Sequence, residues 1–349
     1  MKAMLLHEVG GRVRPGEVPV PKPGANEALI KVRATGVGLT VVIMKATPGL
    51  VSSYPRILGH ELAGEVVEAG SEVDGWRVGD RVTCHFYLTC KVCKWCRMGK
   101  ETLCPNFRGY VGMACDGAYA EYMKLPALNL CRIPDNVSFL DACVAADAIC
   151  TPYHACRVEA QIGPSDDVVI VGGGGGVGIH GVQMARLCGG RVIGVDMGDP
   201  KLQQMTACGA DAVIDAAVEG DWSERVLRLT DGKGAEAVID FVGSRRTLET
   251  SLKCLGRMGK LVIIGWRPAA VFQDAPDFTV NPMEVLGKMQ EIHGSRYVNM
   301  AELQDTLKLV SEGKIKPIVT KTFPLEGAEE AHQLLLKNEL VGRAALVQP

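Results

Sequence analysis

Four cysteines, Cys90, Cys93, Cys96 and Cys104, lie within fifteen residues of one another. Thiolates at this spacing can surround one tetrahedral Zn²⁺, and a site with four protein ligands leaves no position for water or substrate. The lysines and the arginine interleaved with them offset the negative charge of such a centre. We therefore predict one structural zinc per chain in a lobe at about residues 88–106. An iron–sulfur cluster and a metal-free, oxidised lobe are the alternatives.

A second chemical signal is the glycine run in VVIVGGGGGVGIHGVQMA, which contains Gly173-x-Gly175-x-x-Gly178. Alone, five consecutive glycines also fit a flexible loop. Here they follow an apolar strand candidate and open a helix candidate, as a dinucleotide-binding motif requires. Glycines allow the backbone to approach a pyrophosphate closely at the N-terminus of the helix.

The next strand candidate ends at Asp196, eighteen residues after Gly178. A carboxylate there can accept hydrogen bonds from the adenosine ribose hydroxyls and would repel a 2′-phosphate. The alternative is a solvated aspartate at the end of a strand. The combined pattern predicts NAD(H) rather than NADP(H).

The composition excludes several function classes. The chain has 349 residues, 47% of them hydrophobic and 22% charged, with a net charge of −2. This balance is typical of a globular protein with two domains and does not favour nucleic acid as a partner. We expect no membrane span, because no apolar run reaches 18 residues. The thirteen cysteines, an odd number in a long chain without an export signal, predict a reducing compartment, the cytoplasm.

The hydrophobic pattern changes along the chain. Short β-rich runs punctuated by glycine fill the first part, and residues 138–158 form a helical stretch that we expect to be interrupted at Pro152. From Asp166 onward, strands alternate with helices, which predicts a doubly wound parallel sheet. The strand candidates there are 168–172, 191–196, 211–215, 235–243 and 260–265.

Several motifs resemble the zinc-containing alcohol dehydrogenase branch of the medium-chain dehydrogenase/reductase superfamily, over essentially the whole chain. They are Gly59-His60-Glu61-x2-Gly64-x-Val66-x3-Gly70, Gly79-Asp80-Arg81-Val82, Gly117-Ala118-Tyr119-Ala120-Glu121-Tyr122 and Gly342-Arg343. The resemblance implies an α/β protein with a GroES-like β-rich catalytic domain (1–148 and 288–349) and a Rossmann NAD-binding domain (149–287). It also implies a homo-oligomer, a dimer or a tetramer.

The resemblance extends the cofactor site beyond the glycines. It suggests that Lys201 assists Asp196 at the ribose and that Arg343 reaches the cofactor phosphates. The full candidate set for NAD(H) is Gly173, Gly175, Gly176, Val177, Gly178, Asp196, Lys201, Val242 and Arg343.

The active-site segment departs from the family pattern, which has a zinc-binding Cys followed by Thr, Asp and often His. Here Gly38 replaces the Cys, Val41 replaces the Asp, and Ile43 stands at the His position, whereas Thr40 is kept. The second ligand, His60, remains with its neighbour Glu61.

The third ligand position, counted back from Tyr153, falls on Asp147, with Cys150 as the competing residue. We expect the usual catalytic zinc to be absent, and a rearranged site with His60 and Asp147 as weak ligands is the alternative. The candidate catalytic residues are Thr40, His60, Glu61 and Asp147.

These observations predict an NAD(H)-dependent oxidoreductase that transfers hydride between nicotinamide and an alcohol or carbonyl substrate. The alternative is a metal-independent reductase of an activated C=C bond in an enone, iminium or unsaturated thioester. A non-catalytic NAD-binding protein is a third hypothesis. Phe86 and Trp266 resemble pocket-lining positions and suggest a small apolar or cyclic substrate.

Overall fold

The computed structural model describes residues 1–269, 271–272 and 277–349. The chain forms two compact units: unit 1 is Met1–Cys150 with Val298–Pro349, and unit 2 is Thr151–Tyr297. None of the described helices is both long and apolar enough to cross a membrane.

The helices and strands follow in chain order. The first part of unit 1 contains β1 (Lys2–Leu6), β2 (Arg14–Glu17), β3 (Glu27–Val37), α1 (Leu39–Ala46), β4 (Arg56–Ile57), β5 (Glu61–Ala69), β6 (Arg81–Cys84), α2 (Lys94–Arg97), β7 (Tyr122–Pro126), β8 (Leu130–Arg132) and α3 (Phe139–Val144). The chain then passes through α4 (Cys150–His154) into unit 2, with β9 (Asp167–Val171), α5 (Gly178–Leu187), β10 (Arg191–Asp196), α6 (Asp199–Ala207), β11 (Ala212–Asp215), α7 (Ala216–Glu219), α8 (Ser223–Leu229), β12 (Ala235–Asp240), α9 (Arg245–Cys254), β13 (Leu255–Ile263), α10 (Pro282–Lys288) and β14 (Glu291–Gly294). Unit 1 ends with α11 (Met300–Ser311), β15 (Val319–Phe323), α12 (Ala328–Leu336) and β16 (Arg343–Val347).

Unit 1 is built on a mostly antiparallel sheet with the order β15-β16-β3-β5-β6-β8, in which β7 also pairs with β3. A small sheet, β2-β1-β4, packs in the same unit. The long strand β3 is mostly buried, with half-buried residues at Glu27, Lys31 and Arg33, and is continuously buried from Ala34 to Val37. Its carboxyl end therefore lies inside the unit, where it can carry functional residues.

Unit 2 is a parallel sheet with the order β11-β10-β9-β12-β13-β14. Valine and isoleucine residues that are almost fully buried make up most of β9, and Ala237, Val238 and Ile239 are buried in β12, as expected for strands covered on both faces. The predicted doubly wound sheet is confirmed.

The boundary between the units differs from our expectation at one end. We assigned residue 288 onward to the GroES-like domain, but the compact unit 2 continues to Tyr297. The reason is β14, which pairs in parallel with β13 from Lys260–Glu291 to Ile263–Gly294 and so extends the sheet.

The helical stretch 138–158 also differs from expectation, because it is not interrupted at Pro152. Residues Ala145–Ile149 form a π-helical turn, and α4 continues through the proline. Proline lacks the N–H that an α-helix would donate to residue 148. The π-helical turn that precedes α4 has a hydrogen-bond spacing different from that of an α-helix, and the chain stays helical through Pro152.

Candidate functional site

A cluster of buried ionisable groups lies inside unit 1. It consists of His60, Glu61, Asp147 and Arg343, which are 2%, 0%, 6% and 3% exposed. Burying this many charged groups is costly unless they pair with one another. We call these four residues the buried cluster.

The sheet register brings the cluster together. Gly36 of β3 lies opposite Glu61 of β5 on one side and opposite Ala345 of β16 on the other. Val37 pairs with Ala344, so the next pair in the same antiparallel register places Arg343 opposite Gly38. Residues 36 and 38 share one face of the strand, and the side chains of Glu61 and Arg343 fill the space above these two glycines.

Asp147 reaches the cluster from the π-helical turn that follows α3. Its Oδ2 lies 3.2 Å from His60 Nε2 and 3.8 Å from Arg343 Nη2. Arg343 Nη2 also contacts Glu61 Oε1, and its Nε donates to Glu61 Oε2 at 3.2 Å. The guanidinium is therefore shared between two carboxylates.

The charges in the cluster do not balance when both carboxylates are ionised. Burial raises the pKa of Glu61, and the neighbouring Asp147 carboxylate raises it further, against the opposing effect of Arg343. Burial acts to lower the pKa of Arg343, but the two carboxylates raise it above its usual value, so the guanidinium stays charged. The single guanidinium therefore offsets only one of the two carboxylates when both are ionised.

The donors of this cluster do not fit the catalytic metal that the family pattern implies. His60 Nε2 lies 3.6 Å from Glu61 Oε1, and the ligand atoms of His60, Glu61 and Asp147 all lie within 4.8 Å of one another. That separation alone would suit a small cation. However, both carboxylates already face the guanidinium of Arg343, and Gly38 supplies no thiolate. The residues present at this position therefore do not fit the family's catalytic metal.

Three further positions considered in unit 1 lie in α1, which begins directly after Gly38. Thr40, in its first turn, is half-buried, and none of the hydrogen bonds found among the described residues uses its hydroxyl. Val41 and Ile43 are buried in the same helix. Outside α1, the ring of Phe86 lies 4.4 Å from that of His60, so the cluster has an apolar neighbour there.

The competing ligand candidate Cys150 and two histidines outside the cluster bond to other groups. The Cys150 thiol is hydrogen-bonded with Thr306, and burial raises its pKa well above the usual value. His85 Nε2 bonds the Val298 carbonyl at 2.9 Å, and His154 pairs with Glu159 at 3.1 Å. Of the two third-ligand candidates, the structure thus brings Asp147, and not Cys150, into the cluster.

The four-cysteine lobe has the geometry of a tetrahedral metal site. The Sγ–Sγ distances are 3.5 Å for Cys93–Cys96 and Cys90–Cys104, 3.8 Å for Cys93–Cys104 and 4.0 Å for Cys90–Cys96. Four sulfurs bound to Zn²⁺ at about 2.3 Å stand about 3.8 Å apart. All four thiols are free, which excludes the oxidised lobe in this structure. The lobe fits a structural zinc.

In unit 2 the glycine loop forms a turn too narrow for side chains. Gly172 follows β9 with φ +76°, and α5 begins at Gly178. A β-carbon at Gly178 would lie 2.8 Å from the Gly172 carbonyl carbon, and one at Gly173 would lie 2.5 Å from Met205 Sδ. Gly175, Gly176 and Val177 complete the loop. The cradle leaves backbone N–H groups at the N-terminus of a ten-residue helix, as a pyrophosphate requires.

Asp196 stands at the carboxyl end of β10, next to this loop. Its Oδ2 accepts a hydrogen bond from Gly174 N at 2.9 Å, and its Oδ1 accepts from Met197 N at 2.7 Å and from Lys201 Nζ at 3.3 Å. The carboxylate, the lysine and the loop therefore form one hydrogen-bonded unit, which fits the predicted ribose site.

Sequence reasoning missed one residue of this region, Asp240. Its buried Oδ1 accepts hydrogen bonds from Val242 N at 2.7 Å and Gly243 N at 2.8 Å, and burial raises its pKa. It thus fixes the turn that holds Val242 against Gly172. A polar residue ending an otherwise apolar strand, as in AEAVID, is the signal that could have identified it.

Arg343, which we expect to reach the cofactor phosphates, lies in the buried cluster of unit 1, and its role at the phosphates stays a prediction. The guanidinium is 3% exposed and paired with Glu61. The register of β16 against β3, which a motif cannot encode, directs the side chain into the buried cluster.

Comparisons with known proteins agree with this architecture. Residues 24–135 match the family model described as alcohol dehydrogenase GroES-like domain, and residues 176–312 match the model described as zinc-binding dehydrogenase. An NAD-dependent alcohol dehydrogenase of Sulfurisphaera tokodaii is 36% identical, over 99% of this chain and 100% of that protein. An acryloyl-coenzyme A reductase of the same organism is 32% identical, over 100% of both chains. The crystal structure of an alcohol dehydrogenase from Aeropyrum pernix, 30% identical, has a TM-score of 0.91 and covers 100% of both chains.

The chain therefore belongs to the zinc-containing alcohol dehydrogenase branch of the medium-chain dehydrogenase/reductase superfamily. It is an NAD(H)-dependent oxidoreductase, and its four-cysteine lobe can hold a structural zinc.

Proposed function

We propose that this enzyme transfers hydride between NAD(H) and an alcohol or carbonyl substrate without a catalytic metal. The observation that carries the proposal is the buried cluster. Its imidazole and carboxylates remain where the family's chemistry takes place, but their cation is Arg343. Hydride transfer needs only an electrophilic carbon near the nicotinamide C4, together with stabilisation of the negative charge that develops on oxygen.

The proposed step in the reductive direction conserves charge and protons. Hydride from NADH adds to the carbonyl carbon, the C=O π electrons move to oxygen, and the oxygen takes a proton. The Thr40 hydroxyl and a protonated His60 are the proposed donors, and His60 is suited to general acid catalysis near neutral pH. Asp147, 3.2 Å from His60 Nε2, stabilises the imidazolium and orients the ring.

In unit 2, we propose that the loop from Gly173 to Gly178 binds the pyrophosphate. Asp196 and Lys201 then bind the adenosine ribose, and the turn at Val242 lines the same side of the loop. The hydrogen bond from Gly174 N to Asp196 supports this assignment, because it links the pyrophosphate loop to the ribose carboxylate.

A second candidate is reduction of a C=C bond conjugated to a carbonyl. The buried apolar side chains of Val41, Ile43 and Phe86 favour this substrate class, because they provide no group that could stabilise a localised negative charge. Conjugation spreads the developing charge over several atoms and so reduces the need for a Lewis acid. Two relatives named acryloyl-coenzyme A reductase, each 32% identical over nearly the whole chain, also support it.

A substrate panel tests both candidates. We would measure NADH oxidation with cyclic and aromatic ketones, the corresponding enones and unsaturated thioesters, and identify products by mass spectrometry. An alcohol product supports the first candidate, and a saturated carbonyl product supports the second. Absence of NADH oxidation with every substrate would contradict both and favour a non-catalytic NAD-binding protein.

Variants of the proposed donors sharpen this test. Thr40→Val and His60→Gln should each lower kcat by about 100-fold, as expected for loss of a proton donor. Thr47→Val is the matched control, because the Thr47 hydroxyl only donates to the Ile43 carbonyl at 2.8 Å within its own helix end. Equal rates for Thr40→Val and Thr47→Val would exclude Thr40 as a donor.

We also propose that the enzyme is a homo-oligomer, a dimer or tetramer, of the cytoplasm. The strand β14 forms an edge of the parallel sheet, and nearby Met283, Leu286 and Met289 are each at least 70% exposed. Exposed apolar groups at a sheet edge are typical of an association surface. The thirteen free cysteines support a reducing compartment. Light scattering after size exclusion would reveal a monomer if the oligomer proposal is wrong, and cell fractionation tests the compartment.

A further inference from the structure

We propose that Arg343 is a built-in replacement for the catalytic metal, and that Gly38 is the residue that makes room for it. The inference concerns the same site as the proposed function and rests on it for the chemistry. It also makes a claim of its own about metal content.

The first argument is steric. A β-carbon at Gly38 would lie 2.7 Å from Arg343 Cζ, closer than real β-carbons approach such atoms. Any side chain at position 38, including a metal-binding cysteine, therefore competes with the guanidinium for the same space. Gly38 thus leaves free the space that the guanidinium occupies in this structure.

The second argument concerns Gly36, on the same face of β3. A β-carbon there would lie 2.8 Å from Glu61 Cδ. Because the two glycines have no side chains, a carboxylate and a guanidinium can lie side by side against the backbone of β3. This flat surface suits a planar, bidentate ion pair, and arginine makes such pairs with carboxylates better than lysine does.

The third argument is electrostatic. Glu61 and Asp147 are acceptors that a divalent cation would otherwise bind, and Arg343 contacts the first and lies 3.8 Å from the second. A second, divalent cation among these groups would meet direct repulsion from the buried guanidinium. The internal cation has a fixed position and cannot dissociate, so the cluster keeps its positive charge in the absence of any metal supply.

Metal content measured on purified protein tests this directly. After expression with added zinc, we expect wild type to hold one zinc per chain, and Cys93→Ser to hold none, because that zinc belongs to the four-cysteine lobe. Wild type with two zincs per chain, one of which is lost in His60→Gln or Asp147→Asn, would overturn the inference.

Two matched pairs of variants examine the cause. Arg343→Met removes the cation and should gain a second zinc, whereas Arg343→Lys keeps the charge and should stay at one. Gly38→Cys should gain a second zinc because it displaces the guanidinium and adds a thiolate, whereas Gly38→Ala displaces it without adding a ligand and should stay at one. Cobalt substitution gives an optical readout, with additional d–d bands only in the variants that hold two metals.

The outcomes are separable from those of the proposed function. The zinc content of the protein does not depend on the substrate. Inactivity with every carbonyl and enone would therefore contradict the proposed function but would not affect the inference about zinc content. A folded Arg343→Met protein with one zinc per chain would contradict the inference even if the enzyme reduces ketones. If Arg343→Met is insoluble, the inference is tested by the zinc content of wild type and of the two variants Gly38→Cys and Gly38→Ala.

Discussion

At the scale of single residues, identical residue types have different roles because of their surroundings. Asp196 and Asp215 both end strands of the parallel sheet and are paired in register. Asp196 is buried and accepts from Gly174 N and Lys201, whereas Asp215 accepts a hydrogen bond from Ala217 N and caps the short helix α7. Only the first is hydrogen-bonded to the glycine loop.

The first prediction concerns cofactor selectivity. Asp196→Ser should raise the ratio of kcat/KM for NADPH to that for NADH by about tenfold or more, which corresponds to about 1.4 kcal/mol. The reason is that the variant loses both the ribose acceptor and the charge that repels a 2′-phosphate. The measurement is steady-state kinetics with both cofactors. Asp215→Ser is the control and should leave the ratio unchanged. Equal ratios in Asp196→Ser and wild type would show that selectivity is set elsewhere.

The second prediction concerns a half-buried carboxylate outside the candidate site. Burial acts to raise the pKa of Glu329, but hydrogen bonds from His332 and Gln333 and the ion pair with Lys45 lower it from 4.5 to about 2. Because this folded-state pKa is depressed, its stabilising contribution is complete above about pH 4.5 and is lost as the pH falls toward 2.

We therefore expect Glu329→Gln to unfold more easily than wild type at pH 7, by about 1–2 kcal/mol. The difference should shrink as the pH falls below 4.5, because the carboxylate is then protonated in the unfolded wild-type chain while the folded state still holds it ionised down to about pH 2. Chemical denaturation at a series of pH values measures it. Glu330→Gln removes only the exposed pair with Lys321 and should change stability little at any pH. A Glu329→Gln deficit that is constant from pH 7 to pH 3.5 would contradict the assignment.

At the scale of elements, the junctions of strands with helices position the candidate groups. The end of β3 supplies the two glycines, the beginnings of β5 and β16 supply Glu61 and Arg343, and a π-helical turn supplies Asp147. In unit 2 the junction of β9 with α5 forms the glycine cradle. These junctions tolerate little change, because backbone and buried side chains already fill the adjacent space.

The third prediction concerns the junction of β9 with α5. Gly178→Ala should weaken NADH binding and destabilise the protein by about 1–3 kcal/mol, because a β-carbon there meets the backbone of Gly172. Fluorescence titration with NADH and thermal unfolding measure the two effects. Gly287→Ala, in α10, is the control, since its β-carbon would meet no atom within 4 Å. That variant should bind NADH as wild type does. Normal NADH affinity in Gly178→Ala would remove the third glycine from the proposed phosphate site.

At the scale of the whole molecule, the chain divides its candidate sites between two units with different architectures. Unit 2 carries the nucleotide-binding sheet, and unit 1 carries both the buried cluster and the metal lobe. The lobe has little regular structure, with α2 of four residues as its only α-helix within the described chain. A bound metal can supply the cohesion that hydrophobic packing does not supply there.

The fourth prediction follows from this. Cys93→Ser should abolish zinc retention and lower the thermal unfolding midpoint by about 5 °C or more, because the lobe loses its cross-link. Elemental analysis and calorimetry measure the two effects. Cys188→Ser, a half-buried cysteine of unit 2, should keep one zinc and shift the midpoint by about 1 °C or less. A Cys93→Ser protein with unchanged zinc content would rule out the four-cysteine site.

The sequence by itself determined the chemistry that depends on local spacing. The four cysteines, the glycine motif and the alternation of strands and helices are each specified by residues close in the chain, so their periodicity predicts the lobe, the cradle and the parallel sheet. The sequence also showed directly that position 38 is glycine where the family pattern has a zinc-binding cysteine. The expected bounds of unit 2 agree with the structure to within two residues at its beginning and differ at residues 288–297. There the short edge strand β14 has too weak a hydrophobic pattern to be recognised from the sequence.

Only the tertiary structure decided which side chain lies beside Gly38, where the family pattern has a cysteine. Arg343 and Gly38 are 305 positions apart in the chain, and the antiparallel register of β16 against β3 places them opposite one another. The same register aligns Glu61 with Gly36, and a π-helical turn brings in Asp147. A buried charge must find its counter-charge in three dimensions, and the pairing of distant strands, which no local motif encodes, determines which residue that is.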